Sequence, residues 1–423
     1  MSDFHLDWRS SVLPNGLPLV TVARPGTPTV AARVYVRAGG RYDVEHGSTD
    51  WPTRPLGLAH LTEHLLFRGT LRHSQRELFA AVERLGGTLD ADTAKEYIAF
   101  STVTLPQGLP TALAVLAELL SEPALRAENL AAEKAVILEE MRRAQDRESL
   151  LFDLFARTLW QRHPLRHPIL GEQSSVLGLG LDAIQSFYRQ RFVAGNMLLV
   201  ICGDIAHEQA VQRAAQVFSA QPRGPAQSPA AVQEPTLETV RQEHMERETR
   251  QMHSLIGVPT VGMKHPDRSA LKIIERVLGM GGSARLYQRL RQEEQLVYSV
   301  NTVTAHYEDT GYFAVHTACE PRHAARVQRA ILDIWEQLCQ NGIGEDELAA
   351  AQKNYAGNLA RRFETNLALA GIMGIEGLLH RVETLVEAVQ RINTVTCEDV
   401  LRVARQYLQT SRYIAVSVGR RET

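Results

Sequence analysis

Two histidines and a glutamate, in the order His-Leu-Thr-Glu-His at positions 60–64, are the residues of this 423-residue chain best suited to chemistry. On an α-helix, residues four apart lie on one face, so His60 and His64 can direct their imidazoles at one metal ion. Glu63 stands beside His64, within reach of a water molecule on that ion. Such a set suits zinc-assisted hydrolysis, in which the metal acidifies water and a carboxylate takes its proton. The order is a signature of its own, the inverse of the commoner zinc-peptidase order.

An alternative interpretation of this motif is an amphipathic helix that carries histidines on its surface. Leu58, Leu61 and Leu65 recur at helical spacing, which predicts a helix with one face packed inward. His60, Glu63 and His64 would lie beside that apolar face, where burial is costly unless something compensates it. The pattern therefore favours a metal site, and the surface-helix interpretation stays open.

A catalytic zinc site needs a third protein ligand, and the best candidates lie in the segment Glu133–Met141. This segment has neither Gly nor Pro, and its apolar residues recur at helical intervals. Glu133 and Glu140 are two turns apart on one face, with Ile137 between them. Such a pair suits one metal ligand and one partner for a metal-bound histidine. Spacing alone leaves the assignment open, because seven-residue spacings between glutamates are common.

Longer stretches around these residues resemble a known family. The run Gly57-Leu-Ala-His-Leu-Thr-Glu-His-Leu-Leu-Phe-Arg-Gly-Thr70, followed by Ile137-Leu-Glu-Glu-Met141, is similar to the pitrilysin/insulysin zinc peptidases, and especially to their short, processing-peptidase-like branch. Further agreeing stretches extend the resemblance from about Leu13 to the C-terminus. They are Gly86-Gly87 with Asp90–Thr93, His163-Pro164 with Pro168–Gly171, Asn196–Val200 with Gly203-Asp204, and Gly281–Arg291 with Leu296–Ser299.

The resemblance implies a role for each residue of the candidate site. His60, His64 and Glu140 would hold Zn²⁺, and Glu63 would be the general base. Glu133, seven residues before the last ligand, would support the site from behind.

The resemblance also implies a role for Arg291 and Tyr298, which match an Arg/Tyr pair that orients the peptide backbone near the zinc. An Arg fork can clamp a carbonyl or carboxylate, and a phenol can donate to an oxyanion. Spacing alone favours ordinary roles, a solvated helix face for Arg291 and a strand core position for Tyr298. In the short branch this pair generally comes from a partner subunit. We therefore expect a homodimer, with a heterodimer containing an inactive sister subunit as the alternative.

The chain reads as two halves that each run strand, helix, strands, helices, strand, which indicates a duplicated α+β unit. A stretch rich in Pro, Gly and Ser begins at Gln221. We predict an N-terminal zinc-binding catalytic domain over 1–220, a linker over 221–235, and a homologous non-metal domain over 236–423. Each half is expected to be an α/β-sandwich-like layer with a mixed or antiparallel sheet and helices on one side, the two forming half of a clam-shell dimer.

Only the first half carries the metal motif. The region Ala270–Glu275 aligns with positions 60–64 and contains no pair of ligands. We expect this second half to shape a chamber or bind substrate. Its predicted elements include a helix over Ser269–Leu278 and a last strand over Tyr413–Val418.

Bulk composition excludes several classes of function. Net charge is −2, from 46 basic and 48 acidic residues, which predicts neither nucleic-acid nor membrane binding. There is no apolar run of 18 residues, and the segment Met1–Val12 does not read as a secretory signal. The four cysteines are far apart, which favours free thiols in a reducing compartment over a disulfide framework. We expect a cytoplasmic protein.

Two departures from the family pattern affect its interpretation. The 13 residues between Asp43 and Gly57 are more than usual, and this stretch, with Glu45-His46 and Trp51-Pro52, is expected to rim the site. His46 is expected to be a loop residue. The long glycine-rich loop of one mitochondrial subunit type is replaced by the short Leu278–Ser283 segment, which weakens a strict mitochondrial processing role.

Three functions follow from this reasoning. The first is a zinc endopeptidase that hydrolyses unfolded peptides or leader segments of precursors inside an enclosed dimeric chamber. The second is a non-catalytic structural subunit of the same fold. The third is a zinc-dependent protein that binds peptides without cutting them.

Overall fold

A computed structural model describes residues 6–44, 54–144 and 149–421 of the chain. The strands are β1 (Asp7–Val12), β2 (Pro18–Ala23), β3 (Val30–Val36), β4 (Thr88–Thr93), β5 (Ile98–Thr104), β6 (Met197–Gly203), β7 (Arg241–Glu246), β8 (Met252–Val261), β9 (Val297–His306), β10 (Thr310–Cys319) and β11 (Ile414–Gly419). The helices are α1 (Leu58–Leu66), α2 (Gln75–Glu83), α3 (Leu109–Ser121), α4 (Ala127–Ala144), α5 (Ser149–Leu159), α6 (Gln173–Gly178), α7 (Leu181–Arg191), α8 (His207–Val217), α9 (Arg268–Gly279), α10 (Arg285–Tyr287), α11 (Ala324–Asn341), α12 (Glu345–Arg362), α13 (Asn366–Leu379), α14 (Leu385–Asn393) and α15 (Cys397–Tyr407).

These elements form two compact units, each with one sheet. The first unit combines Met1–Arg143, His167–Ala230 and Arg362–Leu385, and the second combines Ala144–Arg166, Ala231–Arg361 and Val386–Thr423. The chain changes units at Ala230, inside the predicted linker, but two further segments are exchanged between the halves. The predicted domains 1–220 and 236–423 follow the sequence repeat and stay a prediction.

Apart from the edge strand β1, the two sheets have equivalent strand orders, which confirms two sheet-and-helix halves. The first sheet runs β1-β2-β6-β3-β5-β4 and the second β7-β11-β8-β10-β9. In the first sheet, β6 pairs parallel with β2 and antiparallel with β3. In the second sheet, β11 pairs parallel with β7 and antiparallel with β8. Strand by strand, the second sheet therefore repeats the first without β1.

Neighbouring residues of β3 pack against different helices on the two faces of the sheet. Val34 is fully buried in one apolar cluster with Leu113 of α3. Its neighbour Tyr35 is also fully buried, and its hydroxyl donates to the carbonyl of Gly371 in α13 at 3.0 Å. Successive side chains of a strand point to opposite faces, so both faces of the first sheet are covered by helices.

The second sheet is covered in the same way by a helix from the first half of the sequence. Ile256 of β8 belongs to a cluster with helices α9 and α11, whereas Leu255 belongs to a cluster with Leu151 and Phe155 of α5. The predicted layer of helices on one side of each sheet is therefore incomplete. Because β3 and β8 carry large apolar side chains on both faces, a second helix must cover the other face.

The predicted helix over Ser269–Leu278 is confirmed as α9, and the predicted last strand as β11. All four cysteines are free thiols, in agreement with the prediction. Across the described residues, no helix is both long and apolar enough to cross a membrane.

Candidate metal centre

Helix α1 carries the His-Leu-Thr-Glu-His segment and is fixed at its first turn by Asp43. The Asp43 carboxylate accepts hydrogen bonds from the backbone N–H of Gly57 at 2.7 Å and of Ala59 at 2.8 Å. Gly57 has a φ of 88°, in the left-handed region that glycine tolerates best. Leu61, Thr62 and Leu65 are buried, so the opposite side of α1 presents His60, Glu63 and His64.

His60, His64 and Glu140 lie together, with one ligand atom from each within 4.8 Å of the others. The Nε2 atoms of both histidines are 3.8 Å from the same Glu140 oxygen, Oε2. In a tetrahedral zinc site with bonds of about 2.1 Å, ligand atoms are about 3.4 Å apart. Two imidazoles and one carboxylate at these distances therefore fit a zinc ion after small side-chain movements, and they leave its fourth position for water.

Glu133 orients His64 from the side away from Glu140. The Glu133 Oε2 atom is 2.9 Å from Nδ1 of His64, and its other oxygen pairs with the Arg68 guanidinium. Burial opposes ionisation of Glu133, but the hydrogen bonds from His64 and Arg68 lower its pKa. Burial works to lower the pKa of His64, but the hydrogen bond with Glu133 and the nearby Glu63 and Glu140 carboxylates outweigh it and raise that pKa. In the neutral imidazole with Nδ1 donating to Glu133, Nε2 has the lone pair that a metal ligand requires.

His60 is held in the neutral form that binds metals. Burial, together with the neighbouring His64, lowers the pKa of His60 to about 3. Its Nδ1 atom is buried and has no hydrogen-bond partner among the described residues. Only Nε2 of this imidazole therefore faces a charged group, the Glu140 carboxylate.

Glu63 is positioned by a residue from the sheet. Thr93, at the end of β4, donates its hydroxyl proton to Oε2 of Glu63 at 2.6 Å. Burial raises the pKa of Glu63, although the Thr93 hydrogen bond works against that shift. A carboxylate held beside these two imidazoles, with a raised pKa, has the properties of a general base.

The sequence reasoning assigned no role to three residues that hold this site, Asp43, Arg68 and Thr93. Arg68 lies in the turn just after α1, four residues beyond His64, and this short separation could have suggested it as a partner of Glu133. Asp43 and Thr93 are distant in sequence and carry no comparable signal. The stretch 45–53, which contains Glu45, His46, Trp51 and Pro52 of the expected rim, lies outside the described residues.

Arg291 and Tyr298 both belong to the second unit. The Arg291 guanidinium lies 5.8 Å from the ring centre of Tyr287. Tyr298 is 49% exposed and its hydroxyl is 3.3 Å from Glu320, so it is not the strand core residue of the alternative interpretation. Their role in binding substrate stays a prediction.

Comparisons with known proteins agree with the motif. A family model described as "Insulinase (Peptidase family M16)" matches residues 19–173, and one described as "Peptidase M16 inactive domain" matches residues 178–355. An uncharacterized zinc protease of Mycobacterium bovis is 30% identical over 420 residues, which cover 97% of this chain and 93% of the relative. The chain belongs to peptidase family M16.

More distant relatives agree with this M16 assignment. The mitochondrial-processing peptidase subunit beta of Bos taurus is 24% identical over 97% of this chain and 84% of its own length. The crystal structure of a protease from Helicobacter pylori has a TM-score of 0.90 at 22% identity, covering 98% of this chain and 100% of that one. A peptidase M16 inactive domain from Pseudomonas fluorescens has a TM-score of 0.89 at 22% identity, covering 99% of both chains. The predicted resemblance and the predicted pair of sheet-and-helix halves are confirmed, and the clam-shell dimer stays a prediction.

The second half of this M16 protein contains a counterpart of the motif without metal ligands. Thr304 on β9 donates to Glu275 of α9 at 2.7 Å, as Thr93 on the corresponding strand β4 donates to Glu63. This shared contact aligns Glu275 with Glu63.

Lys272 then occupies the position of His60, and Arg276 that of His64. The Lys272 ammonium donates to Thr304 at 2.7 Å and lies 3.6 Å from Glu275. Two cationic side chains stand where the first half has two imidazoles, and an ammonium or a guanidinium has no lone pair for a metal. The sequence predicted no pair of metal ligands in this region. In the structure, the two equivalent positions carry Lys272 and Arg276, which cannot bind a metal.

Proposed function

We propose that this M16 protein is a zinc-dependent endopeptidase that hydrolyses unfolded peptides or leader segments of precursors within an enclosed dimeric chamber. The observation that carries the proposal is the convergence of His60, His64 and Glu140 beside the Glu63 carboxylate. The description of its relatives as zinc proteases supports zinc as the metal.

In this proposal His60, His64 and Glu140 hold the ion. When bound, zinc supplies a Lewis acid that acidifies water and polarises the peptide carbonyl. Glu63 takes the proton of the attacking water and delivers it to the leaving amine. Thr93 keeps one oxygen of Glu63 occupied, so the other oxygen is left for the water. Glu133 holds the His64 imidazole in the required tautomer.

The position of β4 supports a peptide as the substrate. β4 is the last strand of its sheet, and its Thr93 contacts Glu63 directly. Among the residues that the structure describes, no strand pairs with the outer side of β4, so an extended peptide can add there by main-chain hydrogen bonds. An unfolded segment can adopt this conformation, whereas a folded domain cannot, which favours unfolded substrates.

Replacement of Glu63 by Gln tests the proposal against a protein that binds peptides without cutting them. Glu63→Gln removes the proton acceptor but none of the proposed ligands. We expect cleavage of a random peptide library to fall by at least about 100-fold, with zinc content near one ion per chain. Cleavage is measured by mass spectrometry and zinc by elemental analysis.

The matched control is Glu83→Gln, an exposed glutamate of α2, which should change neither measurement. Full peptidase activity in Glu63→Gln would show that Glu63 is not the general base. A wild-type chain that binds zinc and peptides without cleaving them would instead support the peptide-binding alternative. A wild-type chain that binds no zinc would support the structural-subunit alternative.

A further inference from the structure

Arg191 is the last residue of α7, and its side chain is buried inside the first unit. The residue is only 8% exposed, and its guanidinium lies over the ring of Tyr42, 4.3 Å from the ring centre. Tyr42 belongs to the same apolar cluster as Leu58 and Leu61 of α1. Arginine is almost never buried to this extent unless an acidic group pairs with it.

Among the residues that the structure describes, no acidic group pairs with Arg191. Its guanidinium forms no ion pair with any of them, and its Nη1 atom is buried without a hydrogen-bond partner there. Burial lowers the pKa of Arg191, and Tyr42, not a carboxylate, is the described group that opposes this shift. An aromatic ring stabilises a cation through its face but has no net charge to neutralise it. Within the described part of the chain, this buried charge is therefore uncompensated, which is strongly destabilising.

The second unit has a carboxylate at the corresponding helix end. Tyr407 ends α15 as Arg191 ends α7, and each lies equally far before the glycine that ends the next strand. The Tyr407 hydroxyl donates to the Asp267 carboxylate at 3.0 Å. The chain itself thus provides a carboxylate at this place in the second unit, whereas the described residues provide none to Arg191 in the first.

The chemistry of Arg191 suits one class of ligand. A guanidinium presents its N–H groups as a planar fork, which matches two oxygens of a carboxylate or a phosphate. Because so little of the side chain is exposed, a small ion can reach it and a large molecule cannot. From these observations we propose that Arg191 binds a small oxyanion in the first unit, either a simple carboxylate or inorganic phosphate. The ion supplies the negative charge that Asp267 supplies in the second unit.

The proposed ion acts on a segment that holds α1. Tyr42, whose ring lies against the Arg191 guanidinium, directly precedes Asp43, and the Asp43 carboxylate fixes the first turn of α1. An oxyanion that holds the guanidinium in place also holds the Tyr42 ring, so it stabilises the folded first unit. Neither Arg191 nor Tyr42 is a proposed metal ligand or the general base. The inference therefore does not depend on the proposed peptidase activity.

Thermal unfolding of the full chain in different sodium salts tests this inference. The probes are formate, inorganic phosphate and chloride, with ionic strength kept constant by the salt of a bulky sulfonate. We expect formate or phosphate to raise the unfolding midpoint by at least about 2 °C between about 1 mM and about 100 mM, since an ion that binds only the folded state stabilises it. The larger of the two shifts identifies the kind of oxyanion. Chloride cannot bridge two N–H groups with separate oxygens and should give a clearly smaller shift.

Three variants assign the effect to Arg191. Arg191→Met removes the guanidinium and should abolish the shift. Arg191→Lys keeps the charge but not the fork, so its affinity for the oxyanion should fall at least about tenfold. The matched control is Arg189→Met, the same change at an exposed position of the same helix, which should leave the shift unchanged. An oxyanion bound at the metal centre would act equally on all three variants.

Three results would overturn the inference. The first is a wild-type chain whose midpoint responds to formate and phosphate no more than to the bulky sulfonate, a result that needs no variant to fold. The second is a shift that Arg191→Met retains, because the ion would then bind elsewhere; if Arg191→Met does not fold, wild-type affinity in Arg191→Lys has the same meaning. The third is a chloride shift equal to that of both oxyanions, since the fork would then not be recognised.

Discussion

At the scale of single residues, the candidate centre depends on which glutamate of α4 faces the two imidazoles. Glu140 and Glu139 are adjacent in sequence but about 100° apart around the helix axis. Glu140 is 3.8 Å from both imidazoles, whereas Glu139 pairs with Arg142 and Arg143 on the exposed side. One position of helical rotation therefore separates the glutamate that faces both imidazoles from the one that pairs with arginines.

This difference gives a direct test of the third ligand. Glu140→Gln should lower the affinity for zinc by at least about 100-fold, because loss of one of three protein ligands removes a charged donor. Glu139→Gln is the matched control and should retain wild-type affinity. Competition with a chromogenic chelator measures both. The reverse pattern would move the assignment by one residue.

Glu133 acts through His64 and not on the metal position itself. Its contact with Nδ1 of His64 is 2.9 Å, and Arg68 neutralises its other oxygen. We expect Glu133→Gln to lower zinc affinity by about 10- to 100-fold, which is less than the effect of Glu140→Gln. Competition with the same chelator measures which of the two variants loses more zinc affinity. Equal effects for the two variants would contradict a supporting role for Glu133.

At the scale of elements, α1 depends on a residue far from it in sequence. Asp43 accepts hydrogen bonds from two N–H groups at the start of α1. Asp43→Ala should destabilise the protein by about 1–2 kcal/mol, because these N–H groups lose their acceptor. Asp182→Ala, at the exposed start of α7, is the control and should change stability little. Urea denaturation followed by circular dichroism measures both variants, and equal losses would contradict the capping role.

The stabilising effect of Asp43 should also depend on pH. Burial raises its pKa from 3.8 to about 7, although hydrogen bonds from Ala59, Gly57 and Leu58 oppose the shift. A raised pKa in the folded state means that folding favours the protonated form. The contribution of Asp43 to the free energy of unfolding should therefore fall as pH rises from about 4 toward 7. Asp43→Ala should lack this part of the pH dependence.

Helix α13 reaches the first sheet because glycines line its contact with Tyr35. A Cβ atom at Gly374 would lie 2.0 Å from a ring carbon of Tyr35, whereas one at Gly371 would be 3.7 Å from its nearest neighbour. Gly374→Ala should destabilise the protein by about 1–3 kcal/mol. Gly371→Ala should be neutral or stabilising by up to about 1 kcal/mol, since Ala favours a helix more than Gly does. Thermal unfolding distinguishes them, and a harmless Gly374→Ala would contradict the close packing.

At the scale of the whole molecule, we propose that Arg291 and Tyr298 complete the site of a partner subunit in a homodimer. Glu63→Gln and Tyr298→Phe would then disable different parts of each shared site. Mixing the two inactive variants should restore activity to at most about a quarter of the wild-type level, because one of the two sites in a mixed dimer receives both intact groups. Mixing Glu63→Gln with Glu140→Gln is the control and should restore nothing, since both changes lie in the same unit.

Light scattering provides the second measurement for this proposal. A homodimer predicts a mass of about twice 47.1 kDa. A monomer with full peptidase activity would contradict the shared site, and a monomer that becomes active only with a sister protein would support the heterodimer.

The spacing of residues along the sequence was sufficient to identify the metal motif. It also predicted the strands and helices around the motif and the duplicated order of elements. Periodic apolar residues and the fixed geometry of a helix place His60 and His64 on one face wherever that helix lies. The alternation of strands and helices predicted two similar halves, which the strand order of the two sheets confirms.

Only the tertiary structure decided which distant residues complete these elements. Asp43 and Thr93 reach α1 because β4 and the chain before α1 pack against it, and no sequence period encodes that contact. The sequence also did not predict that α5 belongs to the second unit and α13 to the first. A strand with apolar residues on both faces shows that both faces must be covered, but it does not show which helix covers them. Contacts set by periodicity are local, whereas those set by packing depend on where the whole chain brings its surfaces together.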